Sequence, residues 1–112
     1  MQDAIEVDLG GHCPAILRPT LGAAISLSKR HGGLMNVLAA LERYDFDIAV
    51  EVVEAGMRVG AEQHQIIAEK VFSAGVVALT PNLVRFVILL ANGGRPLKEK
   101  GEEAEQSERP FV

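Results

Sequence analysis

The sequence predicts an α+β fold that is mostly α: an N-terminal β-hairpin followed by about five short helices. Three observations carry that prediction. Residues 3 to 9 alternate apolar and polar side chains with the period of a strand. From Leu21 onward the apolar spacing lengthens to the helical 3.6. Turn-forming residues then interrupt the helical pattern at Gly32-Gly33, Gly60, Gly75 and Asn92-Gly93-Gly94, so the helices are short. With 112 residues, 48% of them apolar and 23% charged, the chain has the size and composition of one globular domain. That domain is expected over residues 1–95, with a charged, disordered tail over residues 96–112, where apolar periodicity is lost.

In the first strand, residues 3–9, Ile5, Val7 and Leu9 share one face while Glu6 and Asp8 share the other. A two-residue loop at Gly10-Gly11 would set Pro14 opposite Val7 at a hydrogen-bonded position, where proline has no N–H to give. A three-residue loop, Gly10-Gly11-His12, instead aligns Leu9 with Cys13, Val7 with Ala15 and Ile5 with Leu17. The second strand is then residues 13–18, and Pro14 makes it a sheet edge.

A first helix is predicted over residues 21–31 from the stripe Leu21, Ala24, Ile25 and Leu27. Its ending, Lys29-Arg30-His31 before Gly32-Gly33, is that of a helix C-terminus, because cations complement the free carbonyls and glycine tolerates positive φ. The second helix, residues 34–43, follows Leu34, Val37, Leu38 and Leu41. Asp45 or Asp47 can cap the third, predicted over residues 47–59 and stopped by Gly60. Its polar residues Asp47, Glu51, Glu54 and Arg58 fall on one narrow stripe, read here as a solvent face in which Glu54 and Arg58 are spaced for an i,i+4 pair. The fourth helix is placed over residues 62–74 with Ile66, Ile67, Val71 and Ala74 inward. Residues 76–79 suit either a short strand or a helix extension. Thr80-Pro81 has the form of an N-cap with proline at the first helical position, which starts the fifth helix, residues 81–91.

That last helix is apolar almost all round, with Arg85 its one charge. Two readings follow. Part of its surface meets another subunit or a partner, with Leu83, Phe86, Val87 and Leu90 as the contact residues; or the helix is central and covered by the other four.

Residues for catalysis are looked for and not found. His12, His31 and His64 lack the spacings that set two ligands on one helical face, and Asp45 and Asp47 have no further ligands nearby, so no metal or cofactor is expected. The single cysteine, Cys13, can form no intramolecular disulfide, and its strand alignment sets it on the apolar face as a small hydrophobe. Lys and Arg number 8 against 10 Asp and Glu up to residue 96, and 3 against 5 beyond it, so neither part has the basic excess of a nucleic-acid binder. The N-terminus has no signal-peptide pattern, and the longest apolar run, residues 86–91, is far short of the ~20 residues a membrane span needs. A cytoplasmic, non-enzymatic protein is expected.

Several segments together resemble the tail assembly chaperone family of phages and gene transfer agents. They are Ile5-Glu-Val-Asp-Leu-Gly-Gly, Leu17-Arg18-Pro19-Thr20-Leu21-Gly22-Ala23, the junction Gly32-Gly33-Leu34, and residues 48–60 with Val53-Glu54-Ala55-Gly56-Met57. The likeness spans residues 4–94 and is carried by hydrophobic pattern and turn positions; the chain departs from the family at Cys13-Pro14 and Ser28-Lys29. The resemblance implies a small helical protein that binds the tape-measure protein, with the tail-tube protein and a second copy of the chain as further candidate partners. Two alternatives belong to other classes: a structural tail component, such as a tube or connector subunit, and a small regulatory protein-binding module.

Overall fold

A computed structural model describes residues 4–10 and 14–95. The loop residues Gly11 and His12, the placement of Cys13 and the tail expected over residues 96–112 lie outside these described residues.

The fold is the expected one, a two-stranded antiparallel hairpin followed by five helices. Strands β1 (Ile5–Asp8) and β2 (Pro14–Leu17) pair Ile5 with Leu17 and Val7 with Ala15, the register that keeps one apolar face whole. Those four residues are buried, while Glu6, Asp8 and Ile16 face outward. Asp8 Oδ1 accepts from the Gly10 N–H at 2.8 Å and so begins the turn.

Helix α1 (Leu21–His31) starts where Thr20 Oγ1 accepts from the Ala23 N–H at 3.1 Å. It stops at Gly32, in the left-handed region at φ +75°. Helix α2 (Leu34–Glu42) follows, then α3 (Phe46–Met57), which Asp45 caps by accepting from the Ile48 N–H at 3.2 Å. A single 3-10 turn (Ala61–Gln63) leads into α4 (His64–Ala74), and α5 (Val76–Ala91) leaves Gly75 at a bend of 114° from the preceding helix. Among the described residues no single helix is long and apolar enough to cross a membrane.

Four sequence expectations are corrected. The fifth helix begins at Val76, so Pro81 lies inside it and Thr80 is no N-cap; the Thr80 hydroxyl donates to the Val76 carbonyl at 2.8 Å. The helix runs upstream because Val76 and Leu79 gain burial against the core, and exposed Pro81 removes only one hydrogen bond near the helix start. The third helix ends before Gly60: Arg58 takes the left-handed conformation at φ +61°, and its N–H donates to the Glu54 carbonyl at 2.9 Å. On α1 the buried residues are Ala23 and Leu27, whereas Leu21 is 76% exposed and Ile25 also faces out. Ala23 and Leu27 are the residues that face α2 and α3, on both of which α1 packs. On α4, Ile67 and Val71 are buried and Ile66 is turned to the surface.

One core joins all these elements. Helix α5 packs against α1, α2, α3, α4 and β1, and Phe86 is the largest of its fully buried side chains. The hairpin is fastened to α3 at Gly56, whose carbonyl accepts from the Arg18 N–H at 3.0 Å. A Cβ at Gly56 would lie 2.7 Å from Leu17 Cβ and 3.1 Å from its Cα. In a helix interior, replacing glycine by alanine ordinarily stabilises by about 0.5–1 kcal/mol. Here the sign should reverse: Gly56→Ala is expected to cost about 2 kcal/mol or more, because backbone as well as side chain must give way. Urea unfolding measures it, and an unchanged or higher midpoint would contradict the contact.

Candidate functional site

The four side chains expected to meet a partner are interior. Leu83, Phe86, Val87 and Leu90 are all buried among the other helices, so α5 is the central helix and those residues offer no docking face in this fold. The physical reason is coverage: three further helices and the hairpin stand between α5 and solvent in addition to α4.

A concavity among the described residues lies elsewhere. An open groove of about 800 Å³ runs between α1 and α3. Gly22, Ser26 and Arg30, spaced four residues apart, form one wall, and Glu51, Glu54, Ala55 and Arg58 form the other. The turn from Val59 to Ala61 and the start of α4 at His64 close one end. Small side chains at Gly22, Ser26 and Ala55 leave the space open.

Both carboxylates of this groove are paired. Glu51 Oε1 lies 2.7 Å from His31 Nε2 and 3.4 Å from Arg30 Nη1. Glu54 Oε2 lies 2.6 Å from His64 Nδ1. An ionised carboxylate only accepts, so each imidazole nitrogen facing it carries a proton. The stripe read from the sequence as a solvent face is thus partly a set of cross-links: Glu51 ties α1 to α3, and Glu54 ties α4 to α3. Glu54 does not form the i,i+4 pair with Arg58 that the spacing suggested, because Arg58 has left the helix for the left-handed region. The basic end of α1 does terminate the helix as expected, and two of its residues also hold Glu51.

Chemically, the groove presents ion pairs and small side chains. Ser26 lines it, and among the described residues no hydrogen bond joins that hydroxyl to His31 or His64. No group of three or more His, Cys, Asp and Glu gathers among the described residues as a metal would require. The fold and the site together define a small, mostly helical α+β protein with a charged interhelical groove. Compared with protein-family models, with curated proteins and with solved structures, the chain matches none.

The two pairs differ in shielding: the His31 side chain is 19% exposed and that of His64 57%. A double-mutant cycle on His31 and Glu51 should therefore return a coupling of about 1 kcal/mol, and the cycle on His64 and Glu54 about half as much or less. Unfolding free energies of the single and double alanine variants measure both. A larger coupling at His64 would contradict the assignment.

Proposed function

We propose that this chain is a non-enzymatic tail assembly chaperone of a phage, prophage or gene transfer agent, binding the tape-measure protein while the tail tube grows around it. One observation carries the reading: two of the segments that bear the family resemblance meet at the joint between hairpin and third helix. Leu17 and Arg18 belong to one such segment and Gly56 to another, and they touch through a backbone hydrogen bond and a contact that excludes a Cβ. The shared pattern is then one of architecture, as suits a family defined by binding a client rather than by a catalytic motif.

The buried Leu83–Leu90 face of α5 is not what this reading relies on for client contact. Support for binding comes instead from what the fold leaves outside: the α1–α3 groove, and large apolar side chains at Leu21, Ile25, Phe72 and Val77 that a monomer gains nothing by exposing. Client helices that would aggregate when free bury their apolar faces on surfaces of this kind.

Affinity purification of the tagged full chain from its native host, followed by mass spectrometry, tests the reading. A long, predominantly helical tail protein should co-elute, and purified particles should lack the chain. Recovery of tail-tube subunits alone, or retention of the chain in purified particles, would favour a structural tail component instead.

A further inference from the structure

We propose that the α1–α3 groove receives an acidic helical segment of a partner protein, and that Arg58 is the residue that recognises its carboxylate. The inference deepens the chaperone reading and rests on its claim that this chain binds protein.

The groove's charges are unequally satisfied. Glu51 and Glu54 are both taken up by His31, Arg30 and His64. Arg58 lines the same groove, is exposed, and has no side-chain hydrogen bond or ion pair among the described residues. Glu62, the other carboxylate at that end, folds back over Gly60, where a Cβ would meet its Oε1 at 2.6 Å. The capacity left open is therefore cationic, although the chain as a whole carries a net charge of −4. The start of α1 agrees with this. The first turn of α1 lines the Arg58 end and contains no acidic residue to neutralise its N–H groups.

Backbone conformation gives an independent reason to single out Arg58. It occupies the position just past the helix where glycine is strongly preferred, at φ +61°, a region disfavoured for a residue with a Cβ. Glycine there would relieve the strain, so the side chain rather than the backbone explains an arginine at this place.

The dimensions favour a protein segment. The groove follows the 11 residues of α1, about 16 Å, and its small side chains let a helix approach closely, with exposed Leu21 at its rim. A nucleic acid would need several unpaired cations along that length to meet its phosphates, and Arg58 supplies one.

The test uses the labelled full chain and two amphipathic peptides of about 18 residues, one pairing leucine with glutamate and the other leucine with lysine. At millimolar concentration the acidic peptide should shift the amide resonances of Gly22, Ser26, Ala55 and Arg58, and the basic peptide should not. Arg58→Gly should raise the urea midpoint yet weaken the acidic peptide about tenfold, and Arg58→Glu should reverse the preference between the peptides. Equal binding of both peptides, no shift in the groove with either, or undiminished binding by Arg58→Gly would overturn the proposal. If the tape-measure-like client co-purifies while these peptides fail, the client binds elsewhere on the chain. If the peptides succeed and no client co-purifies, the groove assignment stands and the chaperone reading falls.

Discussion

Helix α5 carries 16 residues and a single charge, and the need to keep its apolar circumference from water governs how everything else is placed. Leu83, Phe86 and Val87 have no exposed area, which no single neighbouring helix could achieve. Coverage comes from four helices and a strand, each giving a different part of its own apolar face. The hairpin serves the same end. Its buried row, Ile5, Val7, Ala15 and Leu17, lies over the helices, and a two-stranded sheet of this size is stable only with such support.

Close coverage sets requirements on the covering elements. Where β2 approaches α3 the helix residue is Gly56, and where α1 crosses its neighbours Ala23 and Ala24 face inward while Leu21 and Ile25 turn out. Larger side chains would hold the layers apart and let water reach α5. The chain also reverses direction within very few residues at helix ends, and at two of them a residue with a Cβ, Tyr44 and Arg58, adopts φ +61°. The α1–α3 groove lies beside these contacts, where Gly22, Ser26 and Ala55 leave space at the surface. The His31–Glu51 pair joins α1 to α3, and the His64–Glu54 pair holds the start of α4 to α3 at the groove's end.

Much of the architecture is legible in the sequence because local signals and burial agree. Only one hairpin register keeps Ile5 opposite Leu17 on a single apolar face, and the structure has it. Thr20, Gly32 and Gly75 mark helix limits by chemistry that acts within one turn. The misread features are those in which a distant contact outweighs a local signal. Thr80-Pro81 has the form of a helix start, yet burial of Leu79 extends the helix to Val76. On α1 Ala23 is buried with Leu27 while the larger Leu21 and Ile25 are exposed, a choice of face that packing against α2 and α3 makes. The groove is the least legible part, since its pairs join residues 20 and 10 positions apart and each partner taken alone has an ordinary local explanation. The Leu83–Leu90 surface was open to two readings from sequence because the pattern of a fully buried helix and that of an interface helix are the same.

The central claim is that α5 is the interior helix on which the fold depends, and native-state hydrogen exchange tests it most directly. Amides from Leu83 to Leu90 should be the slowest to exchange in the chain and should share one opening free energy, equal to that of global unfolding. Faster exchange in α5 than in α3, with an opening free energy well below the global value, would show that the helix detaches by itself and would contradict the account.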